Sequence, residues 1–153
     1  MNIEIYTDGS CKNNPGRGGY AFVITRGKKE LLRMYGKEEK TTNNRMELTA
    51  IVKAIKHAMA IDTIEEIIIY SDSAYCLNPI NSGWIYSWNS NNWKTKEGKD
   101  VKNVELWKEL YSLINNKRKK FKFVKVKGHS GNKYNEEVDM LAKKAADLNY
   151  ASK

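Results

Sequence analysis

"IYTDGSCKNNPGRGGY", residues 5–20, ends an apolar, alternating segment in an acidic residue and follows it at once with small, polar and glycine residues. Upstream, Ile3 and Ile5 fall on one face and Glu4, Tyr6 and Asp8 on the other, the period of a half-buried strand. Asp-Gly is a common turn dipeptide, which gives Asp8 an ordinary reading as a turn former. A second reading makes it a ligand at a sheet rim, beside a loop left open for something bulky to approach. The rest of the chain decides between them.

Beyond this stretch, Gly18 to Arg26 and Glu30 to Tyr35 read as two further strands around a turn at Gly27-Lys28-Lys29, an antiparallel meander with the first. From Thr42 the period changes. Met46, Ala50, Ile51, Ala54, Ile55, Ala58 and Met59 recur at three and four residues, which predicts a helix to about Ala60 with Thr42 or Asn43 as N-cap. "EEIIIYSDS" is a short apolar strand ending at Asp72, followed by a helix expected to stop before Pro79. Residues 81–89 read as another helix, with Trp84 and Trp88 one turn apart. Val104 to Ile114 is helical, "KFKFVKVK" is a fifth strand, and residues 135–148 form a closing helix. The order β β β α β α α α β α calls for an α/β fold: one domain over residues 1–153, with helices packed on a mixed five-stranded sheet.

Twenty-seven Lys and Arg against eighteen Asp and Glu leave a formal net charge of +9. A basic domain of this size suits a polyanionic partner such as nucleic acid. Cys11 and Cys76 are too few for a disulfide framework or a zinc site. The start MNIEIYTDGS has neither a basic leader nor an apolar signal core, and no run approaches the ~18 apolar residues that span a bilayer. The expectation is a cytoplasmic protein that does not engage membranes.

Two strand ends, at Asp8 and Asp72, carry an aspartate, and parallel strands present their carboxyl ends on one rim of such a sheet, where ligand sites form. Glu47 falls about one turn inside the long helix, and Asp139 lies in the last helix, ten residues after His129. Taken singly, each acid has a bland explanation as a turn former, a dipole partner or a solvated helix residue. Converging, four like charges must take up protons or bind cations. A carboxylate-only set favours hard ions such as Mg²⁺ or Mn²⁺ over zinc. Two divalent ions would balance the four charges, and a metal pair is the recurring device for attack of water on a phosphodiester.

"YTDGSCKNNPGRGGYAFV", "TTNNRMEL", "YSDS", "WKTKEGKDVKNVELW" and "VKGHSGNKYNEEVDMLA", in this order over residues 2–148, resemble the cellular, bacterial-type type-1 ribonuclease H family. The resemblance implies the ribonuclease H fold and endonucleolytic cleavage of the RNA strand of RNA/DNA hybrids, leaving 5′-phosphate and 3′-hydroxyl ends. It places Asp8, Glu47, Asp72 and Asp139 on the family's metal-binding carboxylates, with two Mg²⁺ ions during catalysis and Mn²⁺ as a substitute. It places His129 on a loop histidine that assists proton transfer or product departure, and Glu136 on a nearby acid that influences release. Gly9 and Cys11, through backbone groups, and Asn14, through its amide, match positions that recognise RNA 2′-hydroxyls. Thr42, Asn43 and Asn44 match substrate-backbone contacts, with Thr42 placed for a DNA phosphate. Trp84, Asn103 and Trp107 match residues lining the DNA-strand channel, whereas Trp88 and Trp93 read as packing residues. The resemblance further implies a monomer with no obligate protein partner.

Residues 81–102 correspond to the family's basic handle, here with Lys94, Lys96, Lys99 and Lys102 but opening on neutral residues, which predicts a weaker grip. Ala74 stands where many relatives carry a longer side chain that reaches an RNA 2′-hydroxyl. Asn78-Pro79 replaces a stretch where glycine is usual, and the connection around residues 60–63 looks slightly longer than in relatives. Integrase or transposase cores share the fold but space their acids differently. The alternative from another class is a non-catalytic binder of RNA/DNA hybrids or duplex RNA, whose expected signature is a lost carboxylate, and all four are present.

Overall fold

The structure, a computed structural model, describes residues 2–61, 66–115, 119–126 and 132–151. Its elements are β1 (Asn2–Cys11), β2 (Gly16–Arg26), β3 (Lys29–Thr41), α1 (Asn43–Ala58), β4 (Glu66–Ser71), α2 (Ala74–Asn81), α3 (Trp84–Ser90), α4 (Val104–Ile114), β5 (Lys120–Lys125) and α5 (Lys133–Ala151). The sheet order is β3-β2-β1-β4-β5. The first three strands form the antiparallel meander, and β4 runs parallel to both β1 and β5. This is the mixed five-stranded sheet that the element order calls for.

Alternation along the strands sends side chains to two separate cores. Ile3, Ile5, Phe22, Ile24, Ile67 and Ile69 meet Leu48, Ile51 and Ile55 of α1, with Trp107 of α4 in the same cluster. On the opposite face Ala21 and Val23 meet Val138 and Ala142 of α5. The small residues on that second face let α5 lie close. A Cβ on Gly19 would stand 2.4 Å from Ala142 O and 2.5 Å from Ala146 N. Helix α5 is pinned along its length by Arg33–Glu137 at 3.1 Å and Lys12–Asp147 at 2.9 Å. No helix among the described residues is long and apolar enough to cross a membrane.

Several boundaries differ from the sequence reading. Helix α2 does not stop before Pro79 but carries it inside, to Asn81. Proline has no N–H to donate to the Tyr75 carbonyl. Pro79 is itself buried, so packing holds the turn that the ring weakens. Strand β3 continues past Tyr35 to Thr41, through a charged stretch that an edge strand tolerates because one of its sides faces water. Thr42 is the N-cap of α1, accepting the Arg45 N–H at 3.1 Å. The connection expected to be long, around residues 60–63, lies partly outside the described residues.

Replacing Gly19 by alanine forces a methyl group into the backbone of α5. It should cost about 1–3 kcal/mol, the usual range for overpacking a tight contact. In a chain of this size that lowers the melting temperature by roughly 2–12 °C. An unchanged melting curve would show that the helix does not rest on this glycine.

Candidate active site

Strands β1 and β4 pair with Tyr6 opposite Tyr70, so Asp8 and Asp72, two residues further on, leave the sheet side by side at one rim. Asp8 Oδ1 accepts the Gly9 N–H at 2.9 Å. The Asp72 turn is held from both sides: Ser71 Oγ accepts the Ser73 N–H at 3.1 Å, and Ser73 Oγ caps α2 through the Cys76 N–H at 3.2 Å. Glu47 arrives from the second turn of α1, and Gly9 makes room for it. A Cβ on Gly9 would sit 2.4 Å from Glu47 N and 2.5 Å from Met46 C. Together Asp8, Glu47 and Asp72 each offer a carboxylate oxygen within 4.8 Å of the others. Asp139, from α5, is hydrogen-bonded to Asp8 but stands outside that tight group of three. Its Oδ2 pairs with Lys143 Nζ at 3.0 Å, one helical turn on.

Burial pushes the Asp8 carboxyl from its ordinary 3.8 up to about 7. The negative Asp72 and the hydrogen bond with Asp139 add to the rise, while the bonds to Glu47 and Gly9 oppose it. Glu47 is raised well above the usual carboxylate range, by burial first and then by Asp8 and Asp72. Its Oε1 is buried without a hydrogen-bond partner among the described residues. An unpartnered buried carboxylate oxygen beside two further acids is costly as it stands and becomes favourable around a cation. Oxygen-only donors of this kind fit a hard divalent ion.

The residues expected to meet substrate are placed as follows. Gly9 and Cys11 end β1, with the Cys11 thiol turned toward the carbonyls of Thr41 at 3.3 Å and Gly16 at 3.5 Å. Asn14 Oδ1 accepts the Asn43 N–H at 3.1 Å and so ties the loop after β1 to the start of α1, where Asn43 and Asn44 are exposed beside the Thr42 cap. Trp84 opens α3 and is 49% exposed. It borders a cleft of about 390 Å³ shared with Trp88, Lys94 and Lys96. Asn103 caps α4 in the left-handed region, φ 57°, and donates to the Tyr75 hydroxyl at 3.0 Å.

Trp107 is a correction. It has no exposed surface, and its Nε1 donates to the same Tyr75 hydroxyl at 3.2 Å. It therefore backs Asn103 from the core and offers no face to a ligand. Trp88 and Trp93 pack partly buried against that core. Glu136 is exposed in the first turn of α5, and His129 lies outside the described residues. Tyr75 and Lys143 are additions. The Tyr75 link spans 28 residues, beyond the reach of any local pattern, whereas Lys143 stands at a local i,i+4 spacing to Asp139 that is too common to mark it.

A carboxylate rim on a mixed sheet, in a chain of net charge +9, offers oxygen ligands for a divalent cation in a protein suited to a polyanion. Residues 1–147 match the model of the RNase H family. The ribonuclease H of Caldicellulosiruptor saccharolyticus is 47% identical over 142 residues, covering 92% of this chain and 93% of that protein. Among solved structures, LC9-RNase H1, a type 1 RNase H with the type 2 active-site motif, superposes with a TM-score of 0.80 at 28% identity, covering 97% of this chain and 73% of that one. LC11-RNase H1 in complex with an RNA/DNA hybrid gives 0.73 at 22% identity, over 95% and 97%, a likeness of fold. The chain belongs to the ribonuclease H family, whose members are endoribonucleases that cut the RNA strand of RNA/DNA hybrids.

The raised carboxyls tie stability to pH. Because the folded chain binds the Asp8 proton more tightly than an unfolded aspartate does, metal-free stability should fall as pH rises from about 4 through about 7. Asp8→Asn should flatten that fall. At pH 8 in EDTA the variant should melt roughly 2–8 °C above the wild type, the equivalent of about 1–2 kcal/mol. At pH 4 the two should coincide, and Mg²⁺ should stabilise the wild type more than the variant. A variant that melts lower at pH 8 would contradict the electrostatic reading.

Proposed function

We propose that this chain hydrolyses the RNA strand of RNA/DNA hybrids with two divalent ions, Mg²⁺ in the cell and Mn²⁺ as a substitute, leaving 5′-phosphate and 3′-hydroxyl ends. The observation that carries the reading is the convergence of Asp8, Glu47 and Asp72 around the buried, unpartnered Oε1 of Glu47, with Asp139 alongside. When bound, such ions lower the pKa of the attacking water and stabilise the leaving 3′-oxygen.

The protein's own part is to hold the acids and to read the substrate. Asp8 is central because it contacts acids on both sides, Glu47 on one and Asp139 on the other. Its Gly9 hydrogen bond holds the Asp8 carboxylate, and the Ser71–Ser73 bond braces the turn that carries Asp72. The backbone of Gly9 and Cys11 and the amide of Asn14 are assigned to RNA 2′-hydroxyls, the groups that distinguish RNA from DNA. The N-terminus of α1, with Thr42, Asn43 and Asn44, is assigned to a backbone phosphate, which helix N–H groups favour. Exposed Trp84 is assigned to deoxyribose on the DNA strand, and Asn103, braced by Tyr75, to the same channel. His129 is assigned to proton transfer or product departure. We further place the protein in the cytoplasm as a monomer without an obligate protein partner.

Cleavage of a labelled RNA/DNA hybrid beside duplex RNA and duplex DNA, with Mg²⁺ or EDTA, tests the reading. The wild type should cut only the RNA of the hybrid, only with metal, and binding should weaken steeply with salt. Asp8→Asn should lose about 10³-fold or more in rate, several kcal/mol of transition-state stabilisation. Tight hybrid binding without cleavage in either Mg²⁺ or Mn²⁺ would make the chain a binder instead.

A further inference from the structure

Among the described residues, Asp139 is the one of the four acids with an ion pair to a cation. Lys143 Nζ lies 3.0 Å from Asp139 Oδ2, in the acid-then-lysine i,i+4 order that suits a helix. Most such pairs are solvated on both sides and contribute little. Here the acid is half-buried and hydrogen-bonded to Asp8, so the ammonium faces Asp139 first and Asp8 behind it.

We propose that Lys143 is a tethered counter-cation that holds Asp139 in the metal-free protein and competes with the divalent ion on the Asp8–Asp139 side of the site. The proposal rests on the reading of the acids as a divalent-cation site. Helix α5 is seated closely on the sheet at Gly19, against Ala142 and Ala146, so sliding it to relieve the competition would disrupt that packing. The lysine can leave instead. Its side chain is 58% exposed and has open water to move into. A divalent ion held on the Asp8–Asp139 side would have to displace an internal cation, whereas one held by Asp8, Glu47 and Asp72 would not, so the Asp8–Asp139 side would be the weaker. Lys143 is a positioning residue, acting on metal through Asp139.

Calorimetric titration of the full chain with Mn²⁺ and then Mg²⁺, in the absence of nucleic acid, tests this directly. Lys143→Met and Lys143→Gln should each tighten the weaker binding step about three- to tenfold and leave the stronger step within twofold of wild type, as expected for removing one nearby positive charge. Lys143→Arg should titrate like the wild type. In an Asp139→Asn background, Lys143→Met should have no effect on either step. Wild-type binding constants in both Lys143→Met and Lys143→Gln would overturn the proposal and leave an ordinary helix ion pair. Failure of the wild type to bind either metal would overturn the reading of the site on which the proposal rests.

Discussion

The parallel pairing of β1 with β4 is the constraint on which the rest of the site depends. With Tyr6 opposite Tyr70, Asp8 and Asp72 emerge as neighbours, and they cannot separate without breaking the centre of the sheet. Gly9 then admits the first turns of α1 against the end of the strand, which brings Glu47 into the same space. Each step is ordinary packing, yet the sum is an arrangement that mutual repulsion opposes. The buried isoleucines on one face, with α1 against them, supply the rigidity that keeps the acids together. Burying a single such side chain stabilises by about 1.5–3 kcal/mol, and several lie under this rim.

Charge is distributed at two scales. The whole chain is basic, +9, while its most crowded polar region is acidic. A long polyanion responds to the first over a Debye length, about 8–10 Å in ordinary salt. A cation responds to the second at contact. In the proposed reading both are required: lysines draw a hybrid to the surface, and the acids collect the ions that act on one phosphate. Trp84, exposed beside the cleft it shares with Lys94 and Lys96, combines an apolar face with basic neighbours.

Much of this was legible in the sequence because it is periodic or adjacent. The 3.6-residue period at Met46 to Met59 announces α1, and Val104–Ile114 is the helix its spacing predicts. The acids at strand ends could be read as one rim because parallel strands end together. Most of what escaped was long-range or overrode a local rule. Pro79 stays helical because it is buried, a fact its neighbours in sequence do not contain. Trp107 has the same local pattern whether it faces solvent or core, and only the docking of α4 on α1 decides that it is buried. Tyr75, which accepts from both Asn103 and Trp107, is 28 and 32 residues from them. Lys143 was local and legible, one turn beyond Asp139, but helix ion pairs are so common that spacing alone does not single it out.

The fold brings Asp8, Glu47 and Asp72 together, and in the proposed reading they hold divalent cations. Crystals grown with Mn²⁺ and measured at the manganese absorption edge test it most directly, since anomalous scattering locates the ion independently of any assumed ligand. The expected result is strong anomalous density enclosed by these three carboxylates, with Glu47 Oε1 among the ligands. Manganese bound elsewhere, with none at these three acids, would overturn it.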